Sequence, residues 1–186
     1  MYGLVNKAVR DLVVSRWDEA TWERIRQRAG VAELSFVAMR PYPDQITYDL
    51  VAAASAELNV PSSTVLEVFG EYWMSFTARE GYGVLLELMG GTYQEFLSNL
   101  NHMHARLRTT FPSLKPPRIE ISERIGDTMR VDYFSTRQGL TSFVVGLLRG
   151  LGAVYRVTAE VTVEHSCADG HDHDVFRVRL RPADSP

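Results

Sequence analysis

The chain has 186 residues, 45% of them hydrophobic, with a formal net charge of -3 and a sequence pI near 6.0. Its length suits one domain, and its apolar content is enough to build a core and enclose a ligand. The slight acidity argues against nucleic acid as the partner, because phosphate binding usually requires a basic excess. The charged N-terminus lacks the apolar run of a signal peptide or membrane span, and the single Cys167 excludes an internal disulfide, so we expect a cytoplasmic protein.

Up to about residue 112 the hydrophobic pattern is helical. Asp18 fits an N-cap and Gly30 fits a helix stop, and Thr92 and Glu95 have the spacing of a capping box. Helices are expected over Gly3 to Ser15, Asp18 to Ala29, Asp44 to Leu58, Pro61 to Thr77 and Thr92 to about Thr110, and a short apolar segment runs from Tyr82 to Met89.

Beyond Pro112 the pattern changes to strands at 118–122, 128–135, 157–165 and 175–181, with one helix from Leu140 to about Tyr155. This order predicts an α+β fold in which a helical N-terminal part packs on a four-stranded antiparallel sheet with one crossing helix. We expect a single domain over residues 1–182, with a helical subdomain to about 112, an α/β subdomain from about 113 to 182, and a frayed tail at 183–186.

His104 belongs to the apolar stripe of the helix that begins near Thr92. The residues of this stripe recur at intervals of three and four: Phe96, Leu100, Met103, Leu107 and Phe111. His104 follows Leu100 by four residues and faces the interior, whereas His102 is rotated by roughly 200° toward water. Two interpretations remain open, a core histidine bonded to a carbonyl or a metal ligand.

Tyr133, Ser135 and Arg137 alternate in the run MRVDYFSTR, so a strand there would direct a phenol, a hydroxyl and a guanidinium to one face. The Arg137 guanidinium can pair bidentately with a carboxylate, and the two hydroxyls can donate to its remaining oxygens. The alternative is a strand that carries Tyr and Arg on its solvent face. An imidazole together with an acid clamp suits iron protoporphyrin, which has a metal and two propionates, held between the helices and the sheet.

Seven segments carry a resemblance to a known family: MYGLVNKAV at the N-terminus, FGEYW at 69–73, EGYGVLL at 80–86, MHARL at 103–107, FPSLKPPRIE at 111–120, YFSTR at 133–137 and GLLRGLG at 146–152. In these segments the chain resembles the haem nitric oxide/oxygen binding (H-NOX) family, in its stand-alone bacterial form. This family is related to the haem domain of soluble guanylate cyclase, and the resemblance spans nearly the whole length.

The resemblance implies haem b as the cofactor and His104 as the proximal ligand of its iron. It further implies that Pro117 distorts the porphyrin, that Met103 and Leu107 line the proximal pocket, and that the Tyr-x-Ser-x-Arg motif holds the propionates. The implied distal pocket consists of Trp73, Leu140, Phe143, Val144 and Leu147.

Oxygen-binding members of the family have a distal tyrosine where this chain has Ser142. A short hydroxyl displaced from the apolar stripe of its helix predicts a donor-poor pocket that binds NO and CO and excludes oxygen. If Trp73 or Tyr82 reached the bound gas, oxygen affinity would rise. The resemblance further implies that NO releases His104 and that the signal passes to a separately encoded histidine kinase or diguanylate cyclase/phosphodiesterase, so the chain is not expected to be an enzyme.

Two alternatives of another class remain. The clamp could hold a carboxylate or phosphate ligand in a haem-free binding module, whereas a hydrolase built on Ser135 lacks a nucleophile-elbow sequence. Separately, His165, Cys167, His171 and His173 are either a polar hairpin loop that turns at Asp169-Gly170 or a zinc or redox site.

Overall fold

A computed structural model describes residues 1–77 and 83–183, so Tyr82 and the last three residues of the tail lie outside the described residues. By its internal contacts the chain forms two compact units, Met1–Phe69 and the residues from Gly70 onward. The division between the units lies inside a helix. The change from helices to strands lies at Arg118, close to the change expected after Pro112.

The first unit contains helices α1 (Gly3–Arg16), α2 (Glu19–Arg28), α3 (Asp44–Leu58) and the start of α4 (Ser62–Thr77). The first three match their predicted ranges to within one residue at each end. The predicted N-cap is confirmed, because the Asp18 carboxylate accepts a hydrogen bond from the Thr21 N–H at 2.6 Å.

The second unit continues with α5 (Gly83–Glu87) and α6 (Tyr93–Thr110). The capping box at the start of α6 is confirmed: the Thr92 hydroxyl accepts from the Glu95 N–H at 3.2 Å, and the Glu95 carboxylate accepts from the Thr92 N–H at 3.1 Å. Within the apolar segment that ends at Met89, α5 ends at Glu87, and the Met89 N–H bonds to Leu86 O three residues back.

The strands are β1 (Arg118–Ile125), β2 (Thr128–Phe134), β3 (Val157–His165) and β4 (Asp174–Pro182), with α7 (Thr141–Val154) between β2 and β3. In the described residues they form one sheet in the order β1-β2-β4-β3, and every neighbouring pair is antiparallel. The α+β class and the sheet with one helix inserted between its hairpins are confirmed. β1 is longer than expected because a register shift between Ile121 and Glu123 lets pairing with β2 continue.

One face of the sheet carries the core of the second unit. Met129, Val131 and Tyr133 of β2 share this face with Phe176 and Val178 of β4, as the two-residue period of a strand requires. Buried residues of α6 and α7 complete the cluster: Phe96, Leu97, Val144, Val145, Leu148 and Leu151. The site residues therefore lie on elements that pack around one apolar core.

No helix within the described ranges combines the length and the apolar character needed to cross a bilayer.

Candidate functional site

Helix α6 places its two histidines on different sides, as predicted. Phe96 and Leu97 are buried and Leu100, Met103 and Leu107 are half-buried, so the apolar stripe faces the core. His104 is half-buried on this side, whereas His102 is exposed. The helical period therefore located the interior histidine correctly.

The imidazole of His104 is oriented by a backbone carbonyl. Its Nδ1 lies 3.2 Å from Pro117 O, and because a carbonyl oxygen only accepts, Nδ1 must be the protonated nitrogen. Burial lowers the pKa of His104, and the bond to Pro117 offsets only part of this effect. The ring is therefore neutral near pH 7, with the lone pair on Nε2.

The two interpretations of His104 are thus compatible. The core-histidine interpretation expects a hydrogen bond from one ring nitrogen to a backbone carbonyl, and His104 makes this bond to Pro117 O. The same bond is the usual support of a metal-ligating histidine, since it fixes the tautomer and the ring orientation while the second nitrogen binds the metal.

Asn101, one helical turn before His104, is a site residue that the sequence reasoning missed. Its side-chain amide donates to Ile119 O at 2.6 Å and accepts from the Ile119 N–H at 3.0 Å. One side chain therefore satisfies both backbone groups of a residue in β1. The available signal was its position, because a polar residue three before His104 shares the inward side of α6.

The predicted clamp is not a single strand face. β2 ends at Phe134, so Tyr133 lies in the strand while Ser135 and Arg137 lie in the connection to α7. The expectation of three alternate strand positions is therefore wrong for Ser135 and Arg137, because β1 has no residue before Arg118 with which they could pair. The solvent-face alternative is wrong for Tyr133, which is 6% exposed and packs edge-on against Phe176.

Ser135 and Arg137 are nevertheless brought together by the turn. The Ser135 hydroxyl accepts from the Arg137 backbone N–H at 3.0 Å, and the Arg137 Nη1 donates to Lys115 O at 2.6 Å. This second bond links the end of β2 to the segment that precedes β1. The clamp residues and the segment after α6 therefore meet at one place.

We call residues 115–119 the Lys115–Ile119 segment. Its alternate carbonyls, those of Lys115, Pro117 and Ile119, accept from Arg137, His104 and Asn101 respectively. Pro116 and Pro117 have no N–H with which to pair, so this segment uses its carbonyls to bind side chains from elsewhere. It joins the helix of the predicted iron ligand to the strand end of the predicted clamp.

The residues predicted for the distal pocket lie on α4, on α7 and at the N-cap of α7, which is Leu140. Val144 is buried, and Leu140, Ser142, Phe143 and Leu147 are half-buried. Trp73 is half-buried, with its ring 6.2 Å from that of Phe76. Both Trp73 and Leu147 pack against the core cluster that contains Tyr133 and Val144.

Two glycines allow α4 and α7 to come unusually close. A Cβ on Gly70 would lie 2.2 Å from Phe143 O, and a Cβ on Gly150 would lie 2.8 Å from Glu71 O. Both are backbone atoms, which cannot yield as a flexible side chain can. The helices that carry the predicted distal residues are therefore in direct backbone contact.

The His/Cys cluster near the last hairpin is divided between two separate contacts. Among residues 1–77 and 83–183, no three His, Cys, Asp or Glu side chains are grouped as metal ligands. The His165 and His171 rings pair with centroids 4.4 Å apart, but His173 turns away to bind Asp132. Burial and the Asp174 carboxylate raise the pKa of Cys167, which disfavours a reactive thiolate. The polar hairpin loop is the interpretation that the described residues favour.

Asp132 is a buried carboxylate on the face of β2 opposite to Tyr133. It accepts from the Ser122 hydroxyl and lies 2.9 Å from His173 Nε2. Burial raises the pKa of Asp132, but its bonds to Ser122 and His173 outweigh burial, so the pKa lies below its usual value. The bond to Asp132 in turn raises the pKa of His173, with a smaller contribution from Asp172.

Comparison with known proteins identifies the family. A family model described as Haem-NO-binding matches residues 2–165. The chain belongs to the Haem-NO-binding family. Domains of this family bind haem and act as gas sensors.

Two soluble guanylate cyclases of Caenorhabditis elegans illustrate the relationship. The chain is 26% identical to gcy-31 over 97% of its own length and 31% identical to gcy-37 over 80%. It covers 26% and 22% of those two proteins, about a quarter of their length.

Solved structures support the Haem-NO-binding fold over the whole chain. An H-NOX protein from S. oneidensis in the Fe(II) state, solved as a mutant, has a TM-score of 0.89 and 17% identity, with 100% of this chain and 98% of that chain covered. The Fe(II) unliganded H-NOX protein from K. algicida has a TM-score of 0.83 and 21% identity, with both chains covered fully.

Proposed function

We propose that this Haem-NO-binding domain is a sensor that binds NO and CO at ferrous haem b, excludes oxygen, and signals by releasing His104. The observation that supports the proposal most is the bond from His104 Nδ1 to Pro117 O, which leaves Nε2 as the metal-binding nitrogen. Haem held by His104 would supply an iron that takes a diatomic gas as a further ligand.

The donor set around His104 fits haem. A neutral imidazole with a carbonyl on its second nitrogen is the arrangement that metal-ligating histidines commonly have, and the lowered pKa of His104 keeps protons from competing with the metal. Met103, which precedes His104, packs against the core cluster, and Leu107 is half-buried one turn later. Apolar neighbours of this kind would shield an iron–imidazole bond from water.

The clamp residues supply the polar half of the site. We propose that Tyr133, Ser135 and Arg137 bind the propionates, and Pro117 would press on the porphyrin from the Lys115–Ile119 segment. Arg137 donates one hydrogen bond to the neutral carbonyl of Lys115. A carboxylate is a stronger acceptor for a guanidinium than a carbonyl is, so a propionate would compete well for this side chain.

Discrimination against oxygen would come from the lack of a donor on α7. Phe143, Val144 and Leu147 of α7 are apolar, as is Leu140 at its N-cap. Ser142 carries only a short hydroxyl. Oxygen bound to ferrous iron depends on a donor more than NO does. Trp73 is half-buried against the core cluster, with its ring tilted by 33° to that of Phe76, which supports its assignment to the pocket wall.

Signalling would use a displacement of α6. Once His104 is no longer held by iron, α6 would shift against β1. A partner that binds the two positions of α6 with different affinities would then respond to the gas. We propose a separately encoded histidine kinase, or a diguanylate cyclase or phosphodiesterase, as this partner, acting in the cytoplasm.

Spectra of the reduced, haem-loaded protein under air, CO and NO test the proposal. We expect a Soret band that air leaves unchanged, that CO shifts, and that NO shifts further with loss of the histidine ligand. His104→Gly should bind haem only when imidazole is added, and a partner should no longer respond to NO. A colourless chain that cannot be reconstituted would favour the haem-free binding module.

A further inference from the structure

We propose that Asn101 is the positioning residue that holds α6 on β1 and sets how readily His104 is released. This inference rests on the proposed function. It concerns a residue outside both the predicted iron ligand and the predicted clamp.

The side chain of Asn101 makes the two hydrogen bonds to Ile119 that a neighbouring strand would otherwise make. At the edge of a sheet, a residue turned away from its neighbouring strand exposes both its N–H and its C=O. Asn101 binds both groups of Ile119, at 3.0 and 2.6 Å, as a residue of an adjacent strand would. α6 is therefore fixed to β1 in position along the strand as well as in distance.

The same two bonds connect the two halves of the site. Ile119 is the register partner of Tyr133, the clamp residue in β2, and Asn101 precedes His104 by one turn on α6. A rigid helix transmits a rotation at position 101 to position 104. Asn101 thus links the helix of the iron ligand directly to the strand pair that carries Tyr133.

His104 cannot move far while Asn101 stays bound. Its own bond to Pro117 O, at 3.2 Å, is longer than either bond of Asn101, so Asn101 makes the tighter contact with the Lys115–Ile119 segment. A shift of α6 away from β1 must break the Asn101 bonds on the way. Removing them should therefore lower the barrier to release of His104.

The test uses the haem-loaded protein and two matched variants on α6. Asn101→Leu removes both bonds to Ile119, whereas Asn99→Leu removes the single bond of Asn99 to Met89 O, 2.9 Å long, on the same helix. The rate of loss of the histidine ligand after mixing with NO is followed in the Soret band. We expect Asn101→Leu to lose His104 about tenfold faster than the unsubstituted chain, since two net hydrogen bonds are lost, and Asn99→Leu to stay within about twofold.

Asn101→Asp keeps an acceptor for the Ile119 N–H and loses the donor to Ile119 O, so its rate should fall between the other two. Exchange of the Ile119 amide hydrogen in the gas-free protein should accelerate in Asn101→Leu only. If Asn101→Leu does not fold, the rate of Asn101→Asp decides the question.

Equal rates for Asn101→Leu and the unsubstituted chain would overturn the proposal, as would an equal acceleration by Asn99→Leu. These outcomes are distinct from failure of the proposed function. That failure would appear in the unsubstituted protein itself, as absence of haem or as a histidine ligand that NO does not displace, and it would overturn this inference too.

Discussion

At the α6–β1 contact, the side chains of Asn101 and His104 bind the backbone of the Lys115–Ile119 segment, whereas at the α4–α7 contact Gly70 and Gly150 bring two helix backbones together. Hydrogen bonds are directional, and they can break one at a time while the helix remains intact. Two helix backbones in close contact cannot separate by small steps, because the protein interior is packed as densely as a crystal of small organic molecules. The first contact is therefore suited to movement and the second to rigid support.

Substitution of Gly70 should break the α4–α7 contact and produce the largest effect. In Gly70→Ala the new Cβ would lie 2.2 Å from Phe143 O, so one helix backbone must shift. We expect a loss of about 3 kcal/mol in the free energy of unfolding, measured by urea denaturation of the haem-loaded protein. Gly91→Ala is the control, because its Cβ would meet no atom closer than 3.8 Å and should change stability by less than about 0.5 kcal/mol. Equal stability of the two variants would contradict this account of the contact.

A donor placed on α7 tests whether the apolar face of this helix is the cause of oxygen exclusion. Ser142→Tyr adds a phenol O–H where the proposed pocket has only a short hydroxyl, and one hydrogen bond to a partly charged ligand should raise oxygen affinity by about tenfold. The measurement is an oxygen titration of the reduced protein. Ser142→Phe supplies the same bulk without the donor, so similar oxygen affinities in both variants would refute the donor-poor pocket as the cause of exclusion.

The smallest effect on the free energy of unfolding is expected from substitution of His173. Its hydrogen bonds lie on the face of β2 opposite to Tyr133, away from the α6–β1 and α4–α7 contacts. Asp132, and to a lesser degree Asp172, raise the pKa of His173 in the folded chain. The stability that His173 contributes is therefore fully present below its pKa in the unfolded chain, about 6.5. It is lost as the pH rises through the higher pKa that His173 has in the folded chain. We expect less than about 1 kcal/mol in the free energy of unfolding, because His173 is only half-buried and its partner Asp172 is exposed.

Urea denaturation as a function of pH, compared between the unsubstituted chain and His173→Gln, measures this loss. The lowered pKa of Asp132 keeps its carboxylate charged throughout this range. Asp132 therefore does not change the free energy of unfolding with pH above about pH 5. The exposed His102 supplies the control variant, His102→Gln. A pH slope above 6.5 that survives in His173→Gln would show that another group is responsible.

Much of the fold followed from local pattern. The helical period assigned α1 to α3 and α6, the two-residue period assigned the strands, and Thr92 and Glu95 located the start of α6. The pattern also distinguished His104 from His102, since a helix of fixed pitch determines which side each residue faces. The predicted strand face of the clamp fails beyond Phe134, because a strand ends where its partner ends, and the alternation in YFSTR does not show that β1 has no residue opposite Ser135 or Arg137.

What the sequence alone determined is therefore which residues share a helix or strand face, because this depends only on the pitch of the chain. The tertiary structure decided which backbone groups those faces meet: Pro117 O for His104, Ile119 for Asn101 and Lys115 O for Arg137. Backbone groups are chemically the same at nearly every position, so their availability depends on which strand lies next to them, and that depends on the assembled fold.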